Sequence, residues 1–258
     1  MEIPAAGKLF LGGSLGALAG AVGVVRLGAA PLLLFRDALV LRPGDPLPES
    51  LQHGGGLAVY SLLFGAATLA ALIGLLQLTR VAAFSSLALI LLIASGAAST
   101  AGGVGLWMGA SRELASLRVV AASESPPKPD EVAAAIEYAL APARVGFAGL
   151  LAGSVLLLVL SCGSLKGNPH CVPSSVAARV VVGLSAAGVM GFSTVLAATW
   201  FPMHELTIAF DAGHVQKPEE IARAISHTLR LSQLAAALLL VYGVFVILLG
   251  ILVRRGSR

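Results

Sequence analysis

Six stretches of this chain, at about residues 9–26, 55–79, 82–109, 144–164, 176–201 and 231–253, are apolar almost without interruption. A hydrocarbon layer about 30 Å thick is crossed by a helix of roughly 20 residues. With no water in that layer, each backbone polar group must be satisfied inside the helix itself. The expected fold is therefore all-α, a polytopic membrane protein with about six transmembrane helices. Composition excludes the soluble alternative: 57% of the residues are hydrophobic and 12% charged, too little polar surface to cover a globule. The first run follows Lys8 and is short enough for a secretory signal. Its small-residue stretch Gly28-Ala29-Ala30 is preceded by Arg26 and followed by Pro31, so it reads as a retained span.

Part of the chain is written twice. Lys128-Pro129-Asp130-Glu131-Val132-Ala133-Ala134-Ala135-Ile136 returns as Lys217-Pro218-Glu219-Glu220-Ile221-Ala222-Arg223-Ala224-Ile225, with Leu140 and Leu229 following at equal spacing. Each copy comes after an apolar run ending near a Trp (Trp107, Trp200) and a triplet, Arg112-Glu113-Leu114 or His204-Glu205-Leu206. A fixed period of this kind marks a repeated supersecondary unit. The unit is a membrane hairpin, and a weaker copy at Pro46-Leu47-Pro48-Glu49-Ser50-Leu51 completes a set of three: residues 1–80, 81–165 and 166–258. Pro129 and Pro218 suit the first turn of a helix, with the acids after them at the positive end of its dipole. Ile221, Ala224, Ile225 and Leu229 recur at helical spacing. The connections are thus expected to be amphipathic and interfacial.

Basic residues in short loops mark the cytoplasmic side. Lys8, Arg80, Lys166, Arg179, Arg254, Arg255 and Arg258 fall on one side against the single acid Glu2, whereas the three long connections are nearly balanced in charge. That places both termini in the cytoplasm, and the membrane is read as a bacterial inner membrane. Cys162 and Cys171 then lie where thiols stay reduced. With His170 beside them they still leave a tetrahedral metal site one ligand short.

The leading helix of each pair carries small residues at four-residue spacing, among them Gly12, Gly16 and Gly20, then Gly103 with Ser95 and Ser99, then Gly183 and Gly191. Such stripes let helices approach closely where no hydrophobic effect drives them together. Leading helices are expected in the packed interior and the bulkier trailing helices in a lipid-facing shell.

The sequence shows no phosphate-cradling loop, paired-histidine zinc motif or nucleophile triad, so no catalytic, metal or cofactor residues are assigned and an enzyme is not expected. Nor is a nucleic acid partner. The polar groups in the spans are hydroxyls and an amide: Ser99, Thr100, Ser193, Thr194, Ser232 and Gln233. They are candidates for a polar lining, or for bonds to the helix backbone. With the third span ending at residue 109, no Asp or Glu lies well inside a span, and a carrier's ion site generally needs one.

Ala209-Phe210-Asp211-Ala212, a short loop, and Pro218-Glu219-Glu220-Ile221-Ala222-Arg223-Ala224-Ile225-Ser226-His227-Thr228-Leu229 together resemble the MotA/TolQ/ExbB proton-channel family. In that family a helix ending in Ala-Phe is followed by a loop, an Ile-Ser-x-x-Leu helix start and a final span. In the earlier copy Ile136, Leu140 and Gly146 fall on the same pattern. The resemblance implies an energy-transducing inner-membrane subunit, in a homo-oligomer or beside a single-span partner that supplies a proton-carrying Asp. The chain departs from the pattern where paired threonines are expected, having Leu231-Ser232 and Pro142-Ala143, and it lacks the family's large cytoplasmic domain. The expected function is a non-enzymatic subunit of this kind. The alternatives are a membrane scaffold without conduction, and a small-solute transporter, which the lack of any broken helix or buried charge in the sequence disfavours.

Overall fold

The structure, a computed structural model, describes residues 5–28, 53–78, 85–122, 129–164, 176–211 and 218–256. These residues are almost wholly helical and include no strand. The helices are α1 (Ala5–Leu27), α2 (Gly54–Leu78), α3 (Ser86–Ala122), α4 (Pro129–Ser164), α5 (Val176–Ala198), α6 (Trp200–Asp211) and α7 (Pro218–Gly256). Six segments among them are long and apolar enough to cross a membrane. The protein is an all-α, multi-pass integral membrane protein.

Pro129 and Pro218 are the first residues of α4 and α7, as the missing N–H and fixed φ of proline favour. The two helices then continue through the membrane without a break. The segments expected to rest at the interface are thus the opening turns of spanning helices, because no glycine or proline separates them from the apolar run except Pro142. With 37 residues α3 is about 55 Å long, well beyond the hydrocarbon thickness. Its membrane-crossing segment is Ser86–Ser116, seven residues past the end expected from hydropathy. The fifth span, in contrast, breaks. Helix α5 stops at Ala198, the Thr199 hydroxyl donates to the Leu196 carbonyl at 2.6 Å, and α6 resumes with Pro202 in its first turn. Proline at that point removes one intrahelical bond.

Consecutive helices pair as α1 with α2, α3 with α4, and α5 with α7. The pairs join through α2 with α5, α3 with α7 and α1 with α4. Each long helix thus has two principal neighbours, and the six close a ring in the order α1, α2, α5, α7, α3, α4. Large side chains fill its interior, among them Phe10, Leu72, Leu150, Leu160, Phe192 and Leu239, all buried. The trailing helices α2, α4 and α7 supply many of these, so they do not form an outer shell. In a ring every helix has one inner and one outer face, whatever its bulk.

Helix α3 approaches the backbones of two neighbours, through two opposed small-residue faces. A Cβ on Gly105 would lie 2.5 Å from the Gly146 nitrogen of α4, and one on Gly103 would lie 2.6 Å from the Leu240 nitrogen of α7. Gly16 and Gly20 meet Ala67 and Phe64 of α2, and Gly191 meets Leu238 of α7. Gly12 and Gly183 have nothing within 4 Å of such a Cβ and sit on outer faces, one residue out of phase with the seams their helices use.

Candidate functional site

The hydroxyl-bearing residues of the spans mostly serve helix packing. Ser193 donates to the Val189 carbonyl at 2.9 Å, as Thr100 does to Gly96, each one turn back. Such bonds satisfy the hydroxyl within its own helix. Ser99 is buried against Gly153 in the α3–α4 seam, and Ser95 beside it donates to the Gly153 carbonyl at 2.7 Å. Gln233 links α7 to α3 by donating to the Ser111 hydroxyl at 2.8 Å. Thr194 lies on an exposed face. Of the six candidates only Ser232 lines an interior space.

That space is a cavity of about 60 Å³ at the long-connection end of the ring. Val24 of α1 and Gly28 just beyond it, Leu106, Gly109 and Ala110 of α3, Ala143 and Phe147 of α4, and Leu196 of α5 form its walls. Leu229, Ser232, Ala235 and Ala236 of α7 close the remaining side. Phe192 floors it, edge-to-face with Phe64 at 5.6 Å between ring centroids. Beyond this pair the core continues as Leu150, Leu157, Leu239 and Val246 toward the other end.

Into it projects Glu113. Its residue exposure is 1%, and neither carboxyl oxygen has a hydrogen-bond partner among the described residues. It lies within the membrane-crossing segment of α3, one turn inside its end. The expectation that no acid occurs inside a span is corrected here, since the helix continues past the apolar run and carries Glu113 in with it. Among the described residues no other ionisable group lines the cavity, and Ser232 is its only other polar side chain.

The nearest cation in sequence is committed elsewhere. Adjacent residues on a helix point about 100° apart, so Arg112 faces the α3–α4 flank when Glu113 faces the cavity. There its Nη1 donates to the Tyr138 carbonyl at 3.1 Å, and its guanidinium stands 4.2 Å over the Tyr138 ring. Pro142 explains the opening, because it lacks the N–H that would otherwise reach Tyr138.

The repeated triplet has diverged in its surroundings. Glu205, the counterpart of Glu113, is exposed on α6, and His204 stacks on Trp200 with ring centroids 4.5 Å apart. Of the other histidines, His53 and His227 are exposed, and His170 and His214 fall outside the described residues. Cys162 is an exposed free thiol, whereas Cys171 is also outside them. No His, Cys, Asp or Glu cluster able to hold a metal occurs among the described residues.

A carboxyl group inside a membrane bundle, facing a space large enough for a few waters and lacking any fixed partner, is chemically suited to exchanging a proton or a small cation. It is not suited to gripping a large solute, for which pockets typically run to about 300 Å³ or more. Sequence reasoning missed Glu113 because it read the triplet as interfacial. The signal present was the helical phase: Leu106, Gly109, Ala110 and Glu113 recur at three- and four-residue steps. The chain matches no family model, no curated protein and no solved structure.

Proposed function

We propose that this is a non-enzymatic ion-handling membrane protein in which Glu113 takes up and releases a proton from the long-connection side. The observation that carries the reading is the Glu113 carboxyl itself, enclosed in the cavity with both oxygens unpartnered. A charge held there without compensation is costly, so ionisable groups persist inside membranes chiefly where they serve ion movement. The apolar core below Phe192 separates this site from the opposite side. Passage across the whole membrane therefore requires the ring to rearrange or a partner to complete the route.

The fuller form of this reading follows the likeness to the MotA/TolQ/ExbB family: an energy-transducing component of a bacterial inner membrane with both termini cytoplasmic, in a homo-oligomer or beside a single-span partner. It differs from the family pattern in carrying a membrane carboxyl of its own. A small-solute transporter gains from the α5–α6 break and the buried acid, but the cavity limits its cargo to something the size of a proton, a water or a small cation.

Infrared difference spectroscopy on proteoliposomes tests the central claim. A protonated-carboxyl C=O band that titrates with external pH is expected, and Glu113→Gln should remove it. An unchanged band in that variant, or none in the wild type, would overturn the reading. Purification in mild detergent tests the fuller form, which predicts a stoichiometric single-span partner with a membrane Asp.

A further inference from the structure

The third hairpin does not close at its long-connection end as the second does. In the second, Gly109 brings α3 against α4, where a Cβ would meet the Ala143 Cβ at 3.0 Å. Gly105, one turn earlier, is packed on the Gly146 backbone. With the copies aligned on the Arg112-Glu113-Leu114 and His204-Glu205-Leu206 triplets, those two glycines become Ala197 and Phe201. The helix break at Thr199 falls between them. Helices α6 and α7 touch but do not close along their length, and a groove of about 540 Å³ lies between them.

The groove has an apolar floor and a charged rim. Ala198, Phe201, Pro202 and Leu231 form the floor. Glu205 stands on the α6 side, and Arg223 and His227 stand four residues apart on one face of α7. All three rim residues are exposed, and none has an ion pair among the described residues. Phe201, 61% exposed, sits next to Trp200, at the level where aromatic side chains border headgroups.

Independently of the role of Glu113, we propose that this groove binds one phospholipid with a zwitterionic, primary-ammonium headgroup. The phosphate lies against Arg223 and His227, since a guanidinium fork matches phosphate oxygens. The ammonium lies against Glu205, and the start of an acyl chain covers Phe201, Pro202 and Leu231. Each part of the groove selects for part of this ligand. A free anion would leave the apolar floor bare, and an anionic glycerol headgroup would leave Glu205 without a cation. The occupant is also always at hand, because the groove opens where the spanning helices meet lipid.

The test is to purify the full chain in mild detergent from membranes containing phosphatidylethanolamine and phosphatidylglycerol, then count retained lipids by native mass spectrometry. Wild type should keep one phosphatidylethanolamine. Arg223→Gln should lower its retention about tenfold, and Glu205→Gln should shift retention toward phosphatidylglycerol. Both substitutions are at exposed positions, and thermal unfolding of each variant verifies that it is folded. Unchanged phosphatidylethanolamine retention in Arg223→Gln, or equal retention of the two lipids by wild type, would overturn the proposal. So would displacement of the lipid by millimolar inorganic phosphate, which would mark a free-anion site.

Discussion

Arg112 donates to the carbonyl of Tyr138, the carbonyl that Pro142 leaves without its helical N–H partner. The bond repairs the interior of α4 with a side chain from α3, and it holds the only cation adjacent to Glu113 in sequence on the outer flank of the pair. One interaction thus explains both how α4 tolerates a proline and why Arg112 does not serve as counter-charge to the cavity carboxyl.

Coupling between these positions is measurable. Arg112→Met should destabilise the protein by about 1 kcal/mol, the net worth of one such hydrogen bond. In a Pro142→Ala background, where residue 142 regains its N–H and can serve Tyr138, the same change should cost clearly less. Unfolding of the four proteins in a double-mutant cycle gives the coupling. Strict additivity would mean that Arg112 does not serve the proline.

Glu113 should lower stability for the sake of its role. Replacing it with Leu removes a buried polar group without a partner and fills the cavity wall, so the variant should unfold about 1–3 kcal/mol less readily. The proton-exchange signal should vanish in that same variant. A loss of stability would show that the carboxyl is held by bonds to a partner.

The close seams should separate from the outer faces. Gly105→Val drives a side chain into the backbone of α4 and should cost about 1–3 kcal/mol or more. Gly183→Val, with open space around its Cβ position, should change the unfolding midpoint little. Equal effects at the two sites would contradict the ring order.

Two hydroxyls offer a contrast in function. Ser232 is the only polar side chain sharing the cavity with Glu113, whereas Thr194 lies on an exposed face. Ser232→Ala should perturb the Glu113 carboxyl band, and Thr194→Val should leave it unchanged. The reverse pattern would remove Ser232 from the site.

The fold class could be read from the sequence because the bilayer allows so few solutions. Long apolar runs become helices, and Pro129 and Pro218 open the helices that follow the repeated Lys-Pro-acid segments. The limits of the spans were less legible. Hydropathy ended the third at residue 109, but Ala110 and Leu114 are buried around Glu113, so burial by neighbouring helices replaces lipid beyond that point. Small-residue spacing identified the kind of packing and missed its phase at Gly12 and Gly183. Gly12 has the four-residue spacing of Gly16 and Gly20, yet its neighbour Gly13 is the residue that meets α2. Which face of a helix is used depends on the partner's position, and the ring order that sets it has no local signature. The site was hidden for the same reason, since Glu113 and Glu205 have equivalent places in the repeat and opposite surroundings.

The ring order also dictates when the carboxyl can be enclosed during synthesis. Helix α3 can pair with α4 as soon as the second hairpin is made, but its other glycine face waits for α7, more than fifty residues further along the chain. Until α7 enters the membrane, the cavity lacks the wall formed by Leu229, Ser232 and Ala236. A ribosome stalled before that point leaves a half-built bundle with an acid facing lipid. Entry of α7 into the membrane is thereby tied to shielding of the bundle's most hazardous side chain, and a chain cut short of α7 leaves that side chain exposed.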